Sequence, residues 1–298
     1  MKFRWMQTLL FAVVGVLTVP QVSSQLAQLN AALGGRAAVV ADSFTASAQD
    51  KDKDKDKNKD WRSDDSEFTE KDEFRQTYQL TPGATVKVSG INGAVDVETT
   101  GGSSAEVYIV RSARSSADLE YRKVIVEQTA SSLVVRGEND QERRVGRGEQ
   151  PQVKQRVTLR LPRQIDFTAS GINGRTIVGE VDGPVHVSGI NGKVEVAQAV
   201  GYSELSGING SVVITISQLG ERGLRVSGIN GAVELRFADA LNADLKVTGI
   251  NGAVSADVPN VTVQGTVSRS SFNARIGSGG APINVSGING RVRLAPRS

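Results

Sequence analysis

From residue 166 onward, apolar and polar residues alternate in short runs, and the alternation restarts at one fixed pentapeptide. Ser-Gly-Ile-Asn-Gly begins at Ser89, Ser170, Ser188, Ser206, Ser227 and Ser286, and Thr248 opens a further copy. A degenerate copy, Ser270-Ser271-Phe272-Asn273-Ala274, precedes the last one, and from Ser170 the steps are 18, 18, 21, 21, 22 and 16 residues. Such a period is the mark of a repeat architecture. Ala169, Val187, Leu205, Val226, Val247 and Val285 stand just before the motif, and one place earlier stand Thr168, His186, Glu204, Arg225, Lys246 and Asn284. An apolar column beside a polar column of every charge type describes a strand with one face buried and one wet. After the motif, Val194, Val233, Val254 and Val292 continue the apolar side. Each repeat therefore predicts two short strands around an Asn-Gly corner, a dipeptide whose residues tolerate positive φ.

If identical residues stack on identical residues, the motif isoleucines form an apolar ridge. The amides of Asn92, Asn173, Asn191, Asn209, Asn230, Asn251, Asn273 and Asn289 then form a structural ladder. Two all-β architectures fit. One is a repeat β-solenoid, parallel β-helix-like, preceded by a strand-rich leading segment. The other is an antiparallel β-meander with Asn-Gly as hairpin turns. Propeller blades take about 40 residues or more, so the period excludes them.

The leading part, residues 74–165, predicts strands at Thr85–Val88, Val95–Glu98, Glu106–Val110, Lys123–Glu127, Leu133–Arg136 and Val153–Leu161. Ser115–Arg122 suits a short helix, and Gly137–Gln152 reads as a charged loop. Ahead of it, residues 25–73 form a charged linker dominated by alternating Asp and Lys from Asp50 to Asp60, with nothing to bury and an expectation of disorder. Residues 1–24 read as a signal peptide: Lys2 and Arg4 precede an apolar run of 11 residues, Leu9 to Val19, too short to span a bilayer. Cleavage follows Ser24 or, as late as residue 48, Ala48. The expectation is an exported protein, periplasmic, cell-surface or secreted, with no stable membrane span after cleavage.

Composition narrows the chemistry. Glycine is abundant (32), aromatics make up 5 %, and 35 Lys/Arg against 32 Asp/Glu leave a net charge of +3. Without a concentrated basic face carrying aromatics, nucleic acid is not an expected partner. There are no cysteines, so thiolate metal sites and cysteine nucleophiles are excluded. His186, the one histidine, lies in the polar column. No spacing singles out a carboxylate pair, although Asp182 with Glu195, or Glu180 with Glu204, could approach each other. The expectation is no enzyme, no cofactor and no metal, with interaction through the variable column at His186, Glu204, Arg225 and Lys246. Arg291, Arg293, Pro296 and Arg297 read as a charged cap on the open end of the stack, which favours a monomer.

The run from Phe74 through Tyr78, Leu80, Pro82-Gly83 and Ser89–Gly93, the strand block to Leu161-Pro162 and the closing repeats together resemble the bacterial putative-adhesin domain family of unknown function. The resemblance covers about residues 74–298. It implies an extracytoplasmic β-solenoid or repeat domain. The variable outward columns themselves carry the expectation of a non-catalytic module that binds an envelope polymer, a glycan or a protein. A structural role in envelope assembly is the alternative, and a carbohydrate-active enzyme on a β-helix a more distant one. Most members place Asp after Asn-Gly, whereas this chain has Ala94, Arg175, Lys193, Ser211, Ala232, Ala253 and Arg291 there.

Overall fold

The computed structural model describes residues 67–139, 152–198, 201–238, 241–258, 261–264 and 271–297. The segment read as a signal peptide, almost all of the charged linker and most of the charged loop lie outside these residues. The chain opens with β1 (Glu70–Gln79), β2 (Ala84–Ser89), β3 (Gly93–Thr100) and β4 (Ser104–Ala113). A single helical turn and a half follows, α1 (Ser116–Tyr121), whose N-cap Ser115 hydroxyl accepts from the Asp118 amide at 3.3 Å. Then come β5 (Arg122–Thr129), β6 (Ser132–Asn139) and β7 (Val153–Pro162). The repeats supply β8 (Ile165–Ser170), β9 (Thr176–Val181), β10 (Val185–Ser188), β11 (Val194–Gln198), β12 (Ser203–Asn209), β13 (Val212–Ile216), β14 (Leu224–Asn230) and β15 (Val233–Phe237). The described chain closes with β16 (Ala243–Asn251), β17 (Val254–Ala256), β18 (Val261–Val263), β19 (Ser271–Ile276), β20 (Ala281–Asn289) and β21 (Val292–Pro296).

These strands form two mixed sheets that do not close into a barrel. The first runs β1-β4-β7-β3-β9-β11-β13-β15-β21-β17, and the second β18-β19-β16-β20-β14-β12-β10-β8-β2-β6-β5. Each intact motif joins them: the strand before the corner lies in the second sheet and the strand after it in the first. Successive repeats pair in parallel, so that Val187 stands beside Ala169 and Leu205, and Leu205 beside Val226. Antiparallel pairs occur towards the two ends of the sheets: β1 with β4, β4 with β7, β5 with β6, and β19 with β16 and β18. β1 starts at Glu70, four residues before the start of the fold read from Phe74. Its charged, mostly exposed positions carry no apolar period, and only backbone pairing with β4 reveals it as a strand.

The corner is built by two glycines with different duties. The first, at 171, 189, 207, 228, 249 and 287, holds φ between +60° and +63°, where a side chain is strained. The second is pressed against the next backbone: a Cβ on Gly192 would lie 2.4 Å from the Gly174 carbonyl oxygen, and one on Gly210 would lie 2.2 Å from that of Gly192. Between them the motif isoleucines, Ile91, Ile172, Ile190, Ile208, Ile229, Ile250 and Ile288, are all buried in one core shared by both sheets. Burying such a side chain contributes about 1.5–3 kcal/mol.

Outside the corner seven asparagine amides are hydrogen-bonded in a row. Asn173 donates to Asn92 at 2.9 Å, Asn191 to Asn173 at 3.0 Å, Asn209 to Asn191 at 3.2 Å and Asn230 to Asn209 at 3.0 Å. The row then passes to Asn289, which donates to Asn230 at 2.9 Å, and ends with Asn251, which donates to Asn289 at 3.1 Å. Asn92 terminates it by donating to the Val153 carbonyl at 3.0 Å.

Two features of the repeats differ from the order in the sequence. Asn273 is not in the row: it lies in β19, opposite Lys246 and antiparallel to β16, and its side-chain oxygen is buried without a hydrogen-bond partner. The degenerate copy has Ser271 and Ala274 where the corner needs glycines, so it cannot turn in the same way. The other difference is the place of the last repeat. β20 lies between β14 and β16, and β21 between β15 and β17. The arginines expected to cap an open end therefore belong to an interior repeat: Arg293 pairs with Asp257 at 3.0 Å and Arg297 with Glu180 at 3.2 Å.

Replacing Gly210 by alanine should cost about 2–4 kcal/mol, the sum of overpacking and a disfavoured φ. Gly101→Ala, with open space around it, should stay within about 0.5 kcal/mol. Urea unfolding of the full chain measures both, and equal midpoints would refute the close approach as the reason for the glycine. In the same assay Asn209→Ala, which removes two ladder bonds, should cost about 1–2 kcal/mol. Asn273→Ala should cost nothing or stabilise.

Candidate functional site

On the outer face of the second sheet the parallel register turns the variable column into one row. Lys87, Thr168, His186, Glu204, Arg225, Asn284 and Lys246 stand side by side in that order. Two residues further along each strand, on the same face, runs a half-buried row of hydroxyls: Ser89, Ser170, Ser188, Ser206, Ser227, Ser286 and Thr248. Neighbouring rungs are about 4.8 Å apart.

Three of the four residues singled out from the sequence meet. Glu204 is flanked by His186, with Nδ1 3.7 Å from its carboxylate, and by Arg225, with Nε 3.8 Å from it. Lys246 does not join them, because β20 places Asn284 between it and Arg225. Instead two other side chains complete the cluster. The Tyr202 hydroxyl lies 3.4 Å from Glu204, its ring meets His186 edge-on at 5.8 Å, and the Arg222 guanidinium covers it at 4.3 Å. Partial burial pushes the Tyr202 hydroxyl pKa up, and the neighbouring Glu204 carboxylate adds to the shift. Alternation alone could have found Tyr202, since it stands two places before Glu204 and so faces the same way. Arg222 lies in the Leu219–Gly223 length variation, where no column exists to read.

The cluster is loosely tied. His186 and Arg225 side chains are 44 % and 59 % exposed and their ion pairs with Glu204 are long, so each contributes little in water, about 0–1 kcal/mol. A ligand can replace such contacts at small cost. The acid pairs considered from the sequence are occupied otherwise. Glu180, on β9 of the first sheet, pairs with Arg163 at 3.1 Å, as Asp182 does at 3.3 Å, and Glu195 holds Lys193 at 2.6 Å.

A groove of about 290 Å³ lies where the edges of the two sheets approach, between β1, β4 and β5. Phe74, Tyr78, Ile109, Val124 and Val126 line it. Its arginine, Arg111, is held by the Leu119 and Arg122 carbonyls at 2.9 and 3.0 Å and by Asp72. Among the described residues no group of three or more His, Cys, Asp or Glu is placed to hold a metal ion, and no helix is long and apolar enough to cross a membrane.

No family model matches the chain, and no curated protein matches it. Solved structures that align with about three quarters of the chain do so at low scores. A putative cell adhesion protein from Clostridium sporogenes is 10 % identical over 76 % of this chain and 100 % of its own, with a TM-score of 0.35. A putative adhesin from Parabacteroides merdae is 14 % identical over 76 % and 96 %, at 0.26. Another from Bacteroides fragilis is 9 % identical over 75 % and 97 %, at 0.28. At these scores the likeness to adhesin-named proteins assigns no role to any residue.

Proposed function

We propose that this chain is a non-catalytic, exported β-solenoid interaction module whose second-sheet outer face binds a hydroxyl-bearing polymer of the cell envelope. In this reading each repeat is one coil, and the stacked coils repeat a recognition pattern every rung. The observation that carries it is the contiguous cluster of His186, Tyr202, Glu204, Arg222 and Arg225 beside a row of hydroxyls. Carboxylate, guanidinium and hydroxyl groups recognise sugar hydroxyls and acidic substituents by hydrogen bonding. A flat row of them suits an extended polymer better than a compact metabolite, which prefers a concave, largely apolar site. The groove at β1 and β5 is the weaker candidate, because both terminal nitrogens of Arg111 are already held by protein groups.

The test is binding of the full chain, with its mature N-terminus, to a panel of glycans and envelope polymers. Glu204→Gln combined with Arg225→Gln should weaken binding at least tenfold while leaving the unfolding midpoint in place. Retained binding in that double variant would remove the face from consideration. Release of reducing ends from a bound polysaccharide would replace the module by an enzyme.

A further inference from the structure

The last repeat occupies a slot whose two walls are copies of one pattern. In β20, Ile283 lies between Leu224 and Leu245, Val285 between Val226 and Val247, and Ser286 between Ser227 and Thr248. Ile288 lies between Ile229 and Ile250, and Asn289 between Asn230 and Asn251. In the first sheet Val292 stands between Val233 and Val254. The two walls thus meet the inserted segment as parallel edges in one register, with an amide acceptor on Asn230 and an amide donor on Asn251 at the height of Asn289. Any segment with the pattern of residues 281–296 satisfies both walls at once.

The chain fills this slot by an unusual route. β19 and β20 flank β16 on opposite sides, one antiparallel and one parallel to it, so residues 277–280 cross over that strand. The crossing is glycine-rich, with φ of +58° at Gly277, +81° at Gly279 and +147° at Gly280. It is clipped to β16 and the residue before it: the Ser278 amide donates to Asn242 at 2.9 Å, and the Gly280 amide donates to Asp244 at 3.3 Å. Two inter-strand spacings are about 9.6 Å. The five Cα steps from Ile276 to Ala281 reach about 17 Å at most, enough to rise over a strand and descend again. Three steps reach about 10 Å, which spans the gap but not the detour.

We propose that the slot between β14/β15 and β16/β17 is a self-association site, whose partner is the 281–297 segment of a second copy of this chain. Insertion from the same chain and insertion from the second copy make the same contacts. They differ in the connection, which gives the chain's own segment a high effective concentration while the crossing is long enough. A copy whose slot is empty offers two unpaired edges and one row of unmatched amides, and the segment of a neighbour closes both. Reciprocal exchange joins two copies without any new surface.

The experiment shortens the crossing by deleting Ser278 and Gly279 in the full chain, on a background carrying Ser227→Cys and Ser286→Cys. The chain has no other cysteine, and facing positions on paired strands lie within disulfide range, Cα to Cα about 4.4–6.8 Å. The expected result is a twofold increase in molar mass by light scattering, unchanged β signal in circular dichroism, and a disulfide that links two chains on a denaturing gel. With the crossing at full length the same disulfide should form within one chain. A shortened chain that stays monomeric with its β signal intact overturns the proposal, as does a dimer whose disulfides remain within one chain. If the shortened chain does not fold, a fluorescent peptide of residues 281–297 added to the unaltered full chain under gentle warming decides. Uptake that a peptide with Gly287→Ala and Gly290→Ala fails to reproduce supports the site, and equal uptake of both or of neither overturns it.

Discussion

At the Asn-Gly corner successive backbones approach so closely that only a hydrogen fits between them. A Cβ on the second glycine would fall within 2.4 Å of the carbonyl oxygen of the rung beneath at Gly192, Gly210, Gly231 and Gly290. Because the corners nest, the strands on either side are locked into one parallel register. That register puts isoleucine on isoleucine inside and asparagine on asparagine outside, so the apolar core and the amide row are two results of one steric fact. Where the glycines are missing, at Ser271 and Ala274, the strand turns over and pairs antiparallel.

The same register makes the repeats interchangeable. Leu224, Leu245 and Ile283 occupy equivalent positions, as do Val226, Val247 and Val285, and nothing in those side chains says which repeat should neighbour which. The order is set by what lies between them. β19 covers the far side of β16, and a four-residue crossing delivers β20 to the near side. The charged residues of β21 thereby become part of an interior rung, and the end of the second sheet is formed by the antiparallel β18–β19 pair.

This arrangement also decides which outward groups act together. His186, Glu204 and Arg225 sit on consecutive rungs and touch, whereas Lys246 is displaced by one rung and Asn284 takes its place. Tyr202 and Arg222 enter from the strand start and the adjoining turn, and give the cluster its aromatic surface. The ion pairs there are exposed and long, so the face is held in shape by the sheet beneath it and not by its own charges.

The repeat strands, the buried and wet face of each, and the corner between them are legible in the sequence, because all of these follow from residues within a single repeat. Val187 must point inward and His186 outward whichever strand lies alongside. The sequence also contained the reason Asn273 stands apart, in the two absent glycines, although the spacing of the copies suggested one more rung. The spatial order of the last repeats, the strand identity of Glu70–Glu73 and the company of Glu204 emerge from the pairing of strands distant in sequence. Edges made of the same residues in the same register are equally good partners. The choice among them rests on the reach of a loop and the closing of an edge, which no single repeat encodes.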